Sequence, residues 1–341
     1  TPRKDIFKLI RSVINFTLST ETAGAILLPT HWVGEIPLEK AVYYGVFHSI
    51  SAFCNAGFAL VSDGLVHYSG SWLLNLTICF LIVIGGIGFP VLYDLQAWFP
   101  GRTTRKMRLS VQSKTVLLTT LILIVGGAAM FSLLEGGSPT LAGRPLSQQI
   151  LIPLFQSITC RTAGFNTVDI ASLTNASLLI LIILMFIGGG SGSTAGGVKI
   201  TTMGVAVVAI LSQIRGRSET TAFRHRIHNS IVLKAISVIA LSLMLVLGVT
   251  ILVLAAEQTA GNHPMLVDIL FEVTSAFGTV GLSSVATPTL TPLSHVLRLD
   301  DIRTRVAGRD QEDGTRFFGD RRPHGAGPHA EAISRFGDDG L

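Results

Sequence analysis

A short glycine-containing string occurs three times in this chain, and its chemistry lies in the backbone. Glycine adopts left-handed backbone conformations that a Cβ makes costly. A loop that turns consecutive carbonyl oxygens toward one axis can replace the hydration shell of a cation. This chemistry is ion coordination, and we find no arrangement of a nucleophile and a base that would favour an enzyme. The three strings are Asn55-Ala56-Gly57, Thr162-Ala163-Gly164 and Thr279-Val280-Gly281.

Each string ends a short apolar stretch. The stretches cover residues 38–53, 147–160 and 265–277. A helix that crosses a bilayer needs about 20 apolar residues, so each stretch predicts a re-entrant half-helix. The carbonyl end of such a helix favours a nearby cation. One isolated string of this kind is typical of helix packing or a turn, whereas three occurrences after re-entrant stretches indicate an ion pathway.

A glycine-rich segment interrupts the apolar run from residue 173 to residue 214. One continuous helix of that length would measure about 63 Å, against a hydrocarbon core of about 30 Å. We predict two half-helices joined by non-helical backbone, which survives in a membrane only when it is buried in protein or borders water. The segment comprises Gly188, Gly189, Gly190, Ser191, Gly192, Ser193, Thr194, Ala195, Gly196 and Gly197.

Lys199 follows this segment, and a lysine at membrane depth is a functional hypothesis by default. One alternative is a plain kink with Lys199 extending to the cytoplasmic side. Another is a phosphate-binding loop, which places its lysine directly after the second glycine. Val198 intervenes here and no strand precedes, so the spacing disfavours the phosphate loop and leaves the kink open.

The composition is that of a polytopic membrane protein. Of the 341 residues, 48% are hydrophobic and 14% charged, whereas soluble domains carry about 25% charged residues. This argues against a soluble enzyme, a disordered protein and a disulfide scaffold, and the three cysteines fit no metal pattern. Besides the broken helix, spans are predicted at residues 6–28 (weakly apolar), 71–99 (kinked by glycine and proline at 85–90), 111–134 and 230–256.

Basic residues collect on one predicted side of the membrane. Basic loops face the cytoplasm, so we predict a cytoplasmic N-terminus. These loops account for the net charge of +5, and no nucleic-acid partner is expected. The clusters comprise Arg3, Lys4, Lys8, Arg11, Arg102, Arg105, Lys106, Arg108, Arg215, Arg217, Arg224 and Arg226.

The order of span, half-helix, extended loop and span is that of a potassium-channel pore unit. The chain resembles the Trk/Ktr/HKT superfamily of potassium transporters, specifically the membrane subunit of the TrkH/KtrB type. The resemblance covers about residues 1–293 and rests on HSISAFCNAGF at 48–58, RTAGFNT at 161–167 and GSTAGGVK at 192–199. It implies an all-α polytopic membrane protein with repeated span–pore-helix–filter-loop–span units around one ion pore. The three strings would form its selectivity filter, and residues 188–197 with Lys199 a gate beneath it.

The resemblance also implies a function and partners. The function is potassium uptake as a pore-forming subunit, multi-pass in the plasma (inner) membrane of a prokaryotic cell. Implied partners are a second copy in a homodimer and a cytoplasmic nucleotide-binding regulatory ring of the TrkA/KtrA type. The chain itself would need no cofactor, with K⁺ as the transported ion.

The chain divides into three pore units and a tail. The second unit of the family is expected at residues 1–100, the third at 101–217, the fourth, without its last span, at 218–294, and a polar tail at 295–341. The family's first unit is not found, and the start at Thr1 predicts a cut edge. The tail has no window of about 20 apolar residues. We favour an out-of-frame or disordered extracytoplasmic tail over a native cytoplasmic one, which gives a second hypothesis: a truncated subunit that assembles without conducting.

Two further residues carry open interpretations. Arg161, beside the second string, could raise the local positive potential and tune ion occupancy, or could pair with Asp169 or Glu272. His48 is expected to be a helix-packing histidine whose hydrogen bonds are satisfied.

Overall fold

The computed structural model describes residues 2–61, 63–98, 109–216, 220–222 and 225–284. Within these residues the fold is almost entirely helical, as the composition predicts. A pair of two-residue strands, β1 (Thr221–Ala222) and β2 (His225–Arg226), and two 3-10 turns complete it. The α-helices are α1 (Pro2–Leu27), α2 (Pro29–Trp32), α3 (Leu38–Phe53), α4 (Trp72–Ile87), α5 (Phe89–Trp98), α6 (Val111–Glu135), α7 (Leu146–Thr159), α8 (Asn175–Phe186), α9 (Ile200–Ile214), α10 (Asn229–Thr259) and α11 (Leu266–Gly278).

The three predicted half-helices are α3, α7 and α11, which we call the pore helices. Each begins after a residue in extended conformation, with proline in this position before α3 and α7. At most two residues separate the end of each from its glycine-containing string. The tail at residues 295–341 and the basic cluster at residues 102–108 lie outside the described residues.

Two single helices of the described part of the chain are long and apolar enough to cross a membrane. They are α6, with 25 residues, and α10, with 31 residues. The predicted broken helix is present as α8 and α9, with 12 and 15 residues, separated by the glycine-rich segment. The predicted first span corresponds to the 26-residue helix α1, which is not one of these two single helices.

The predicted kinked span at residues 71–99 is instead two helices, α4 and α5, bent by 100°. Gly88 lies between them with φ 98° and ψ 144°, a conformation outside the helical region. The Phe89 N–H donates to the Gly192 carbonyl at 3.1 Å rather than to the preceding helix. Since Pro90 has no N–H, the helix cannot propagate smoothly across this point.

Two pore helices pack closely against a preceding helix, α3 against α1 and α7 against α6, through a serine on one helix and a glycine on the other. Ser49 of α3 donates to the Glu21 carbonyl of α1 at 2.7 Å. Ser157 of α7 donates to carbonyls of α6 at 2.9 and 3.1 Å. A Cβ at Gly24 or at Gly127 would collide with the serine hydroxyl opposite. Glycine on the outer helix therefore lets each pore helix approach closely enough to hydrogen-bond the backbone.

Candidate ion-coordination site

The three strings share an unusual backbone conformation. We call residues 55–57 loop 1, residues 162–164 loop 2 and residues 279–281 loop 3. The first residue of each loop is left-handed although it carries a side chain, and no other non-glycine residue of the described chain has positive φ. The third residue of each loop, a glycine, is also left-handed. The φ angles are 50° at Asn55, 76° at Thr162, 53° at Thr279, 72° at Gly57, 84° at Gly164 and 88° at Gly281.

The middle residue of each loop binds back to its pore helix through its N–H group. A trans peptide points its N–H and its C=O in opposite directions. Since the middle N–H faces the pore helix, the carbonyl of the first residue of each loop faces away from it. The bonds run from Ala56 to Ser51 at 2.8 Å, from Ala163 to Thr159 at 2.9 Å and from Val280 to Ser275 at 2.8 Å.

The same three acceptor residues also use their hydroxyl groups, which we call the support hydroxyls. Each one donates to the carbonyl of the residue that follows the loop glycine. All three residues are buried. The bonds run from Ser51 to Phe58 at 2.9 Å, from Thr159 to Phe165 at 2.7 Å and from Ser275 to Leu282 at 2.7 Å.

A second set of side chains lies one helical turn earlier and holds the chain three residues beyond each glycine. His48, Gln156 and Glu272 occupy equivalent positions and are buried. The His48 Nε2 atom accepts from the Leu60 N–H at 3.4 Å, and Nδ1 lies 2.7 Å from the Tyr44 carbonyl. The other two bonds join Gln156 Nε2 to Thr167 Oγ1 at 3.3 Å and the Ser284 N–H to Glu272 Oε1 at 2.8 Å.

A search of the sequence for the glycine-containing strings does not find the support hydroxyls or this second set of side chains. The repeated signal is a hydroxyl residue five or six positions before each glycine and a larger polar residue one turn earlier. His48 is thus more than the satisfied packing histidine expected, because its ring connects the pore helix to the chain beyond loop 1.

The three loops lie side by side, with loop 2 in the middle. A Cβ at Gly57 would collide with the Ala163 carbonyl oxygen, and one at Gly164 with the Val280 carbonyl oxygen. The side chains of Ala163 and Val280 are fully buried in the hydrophobic core. The glycines therefore allow backbone to approach backbone, and the middle side chains anchor the loops from behind.

The glycine segment, residues 188–197, has no helical structure, as predicted. Its two ends meet, because the Gly188 N–H donates to the Val198 carbonyl at 2.9 Å and the Val198 N–H to the Phe186 carbonyl at 3.1 Å. The segment is therefore a closed loop between α8 and α9. A Cβ at Gly188 would meet the Gly196 carbonyl, which explains why this closure needs glycine.

The glycine segment contacts loop 1 and loop 3. Thr194 Oγ1 accepts from Asn55 Nδ2 at 3.1 Å and lies 3.3 Å from the Phe53 carbonyl oxygen. On the other side, a Cβ at Gly196 would collide with the Gly278 carbonyl and the Thr279 hydroxyl. The segment thus packs directly against the first residues of two loops.

The bend between α4 and α5 also holds the glycine segment. The Gly190 N–H donates to the Gly86 carbonyl at 2.8 Å, and the Gly192 carbonyl accepts from Phe89. Thr194 Oγ1 lies 3.2 Å from the Gly85 carbonyl. Two glycine-rich breaks in separate helices therefore pack backbone against backbone.

Lys199 and Arg161 lie close to these loops. The Lys199 ammonium is half-buried and donates to the Ala195 carbonyl, so the side chain folds back onto the glycine segment. Arg161 is 5% exposed and donates to Thr120 Oγ1 at 3.4 Å. Among the described residues Arg161 forms no ion pair with Asp169 or Glu272, so the structure does not support the pairing alternative.

The chain is similar to known transport proteins over most of its length. Residues 5–299 match the family model of TrkH, described as a cation transport protein. The chain is 34% identical over 286 residues to the potassium/sodium uptake protein NtpJ of Enterococcus hirae, covering 84% of this chain and 62% of that protein. It is 37% identical over 288 residues to the Ktr system potassium uptake protein B of Bacillus subtilis, covering 84% of this chain and 62% of that protein.

The fold is also similar to a solved structure. The potassium transporter TrkH from Vibrio parahaemolyticus matches with a TM-score of 0.67 at 17% sequence identity, over 89% of this chain and 62% of that one. This chain therefore spans about three fifths of the length of the relatives that it matches.

Proposed function

The chain belongs to the TrkH family of cation transport proteins, and we propose on that premise that its three loops form the selectivity filter of a potassium uptake pore. The observation that carries the proposal is the pair of left-handed residues in each loop, repeated three times. The N–H group of each middle loop residue is bound to its pore helix, and the carbonyls of loops 1 to 3 would replace the hydration shell of K⁺. The pore helices add the partial negative charge of their carbonyl ends.

The glycine segment serves as the gate in this proposal. Its contacts with Asn55 and Thr279 support a position against the filter loops. A segment of glycine, serine and threonine can change conformation at little steric cost. Lys199, which donates to the Ala195 carbonyl, would keep a positive charge on the gate and oppose cation passage while the gate is closed.

We further propose how the chain is divided into pore units and where it lies in the cell. The pore units correspond to residues 1–100, 101–217 and 218–294, each with one pore helix followed by one filter loop. The family is one of membrane-embedded transporters, and we place this member in the bacterial plasma membrane. We also propose a homodimer and a cytoplasmic nucleotide-binding regulatory ring as partner. Light scattering on the detergent-solubilised protein tests the dimer.

Rubidium uptake tests the proposed function. Cells that lack their own potassium uptake should accumulate ⁸⁶Rb⁺ when they express this protein, and excess K⁺ should compete. The alternative, a subunit that assembles without conducting, predicts uptake at the level of cells without the protein. That result, with insertion confirmed by membrane fractionation, would overturn the proposal.

A further inference from the structure

We propose that the support hydroxyls of Ser51, Thr159 and Ser275 determine cation selectivity by fixing where the ion-coordinating carbonyls end. This inference rests on the proposed function and goes beyond it, because it assigns positioning residues behind the filter rather than in it. The three residues lie in the last turns of the pore helices and reach the chain directly after each loop glycine.

The carbonyl groups of Phe58, Phe165 and Leu282 directly follow the loop glycines. In the proposed filter, such a carbonyl would be the next oxygen in line along the ion path. In all three loops this oxygen instead accepts a hydrogen bond from the pore helix at 2.7 to 2.9 Å. It is thereby withdrawn from the side on which the loop carbonyls lie.

Selectivity depends on this withdrawal for a physical reason. Discrimination between K⁺ and Na⁺ depends on the number and field strength of the carbonyls around the ion. A buried carbonyl that loses its donor must find another partner. In this proposal the freed oxygen turns toward the ion pathway and changes the coordination number.

The hydroxyl of each of these residues can be removed without removing the hydrogen bond that its main chain makes. The main-chain carbonyl of each of these residues also accepts the N–H of the middle loop residue. A side-chain substitution leaves that bond in place. In loops 1 and 3 the hydroxyl oxygen accepts as well, from the Phe58 N–H at 2.9 Å and the Gly281 N–H at 3.2 Å. In loop 2 the Thr159 hydroxyl donates to the Phe165 carbonyl, and the residue is fully buried.

Thr159 is therefore the cleanest position for an experiment. Thr159→Val keeps the shape of the side chain and removes the hydroxyl. Thr159→Ser keeps the hydroxyl, and serine already occupies the equivalent position in loops 1 and 3. Two residues earlier, Ser157 is equally buried and donates to α6 on roughly the opposite face of the same helix, since two residues turn an α-helix by about 200°. Ser157→Ala is the matched control for a lost buried hydrogen bond that does not touch the filter.

The readout is the ratio of K⁺ to Na⁺ competition against ⁸⁶Rb⁺ uptake at equal protein level. We expect Thr159→Val to lower this ratio by about fivefold or more, the effect of losing roughly one hydrogen bond. We expect Thr159→Ser and Ser157→Ala to keep the wild-type ratio. An unchanged ratio in Thr159→Val, or an equal fall in Ser157→Ala, would overturn the inference while leaving the proposed function intact.

A second readout does not depend on transport. A cation that binds the folded protein stabilises it by a free energy that grows with the logarithm of the cation concentration relative to Kd. The melting temperature of the purified protein therefore rises. The wild-type protein should be stabilised by K⁺ more than by Na⁺, and Thr159→Val should lose this difference. If the wild type shows that difference without Rb⁺ uptake and Thr159→Val loses it, transport is refuted while the role of the hydroxyl in cation selectivity stands; if Thr159→Val keeps the difference, the inference is overturned. If the wild type shows neither uptake nor cation-dependent stabilisation, both are overturned.

Discussion

At the scale of single residues, the site depends on backbone conformation that side chains resist. Asn55, Thr162 and Thr279 are left-handed, which costs a residue with a Cβ of order 1 kcal/mol or more. The cost is met by N–H bonds to the pore helices and, at Asn55, by the bond from its amide to Thr194. The sequence predicts which residues form the loops because the glycines are visible in it. It does not predict the left-handed conformation of the residues before them, since threonine adopts it only when the surrounding structure requires it, and asparagine, which tolerates it better, adopts it in a minority of cases.

A comparison of substitutions at Gly164 and Gly143 distinguishes the effect of backbone strain from the effect of a disturbed filter. Both have positive φ, 84° and 76°, so valine at either position is strained by about 1–3 kcal/mol. Only at Gly164 would a Cβ also collide with a neighbouring loop, because nothing lies within 4 Å of the Cβ position at Gly143. We expect Gly164→Val to abolish or severely reduce the selectivity of ⁸⁶Rb⁺ uptake and Gly143→Val to leave it unchanged. Unaltered selectivity in Gly164→Val would count strongly against the filter assignment.

At the scale of elements, the pattern of short apolar stretches predicts the pore helices well. Proline before α3 and α7 sets their starts, and the length of each stretch excludes a span. The 100° bend between α4 and α5 is not predictable from the same arithmetic. Glycine and proline at residues 85–90 indicate a break, but its angle is set by hydrogen bonds to Gly190 and Gly192, which lie far away in the sequence.

Thr194 tests the glycine segment as a gate. Its hydroxyl oxygen accepts from Asn55, and the same group lies close to carbonyls of α3 and α4. Thr194→Val removes these polar contacts and should loosen the segment from loop 1. Because the segment is the proposed gate, we expect uptake to rise severalfold. Thr194→Ser retains the hydroxyl and should behave as wild type. If Thr194→Val abolishes uptake while the protein is still folded and inserted, the result would favour the alternative in which the segment is a plain kink and not a gate.

At the scale of the whole molecule, the basic clusters predict which side of the membrane each loop faces. The turn after α6 should be extracytoplasmic and the end of α9 cytoplasmic. Ala142 and Arg215 are exposed residues at these two places. In a Cys54→Ser background, a membrane-impermeant thiol reagent should label Ala142→Cys on intact cells. Arg215→Cys should be labelled only after the membrane is opened, and the reverse pattern would invert the topology.

The central claim is that a cation binds between loops 1, 2 and 3, and anomalous scattering from a heavy K⁺ substitute tests it most directly. Crystals of the protein grown with Tl⁺ should show an anomalous peak within coordinating distance of carbonyl oxygens from all three loops, at the level of Gly57, Gly164 and Gly281. Excess K⁺ should remove the peak. A fully occupied Tl⁺ peak elsewhere in the protein, with none between the loops, would contradict the account.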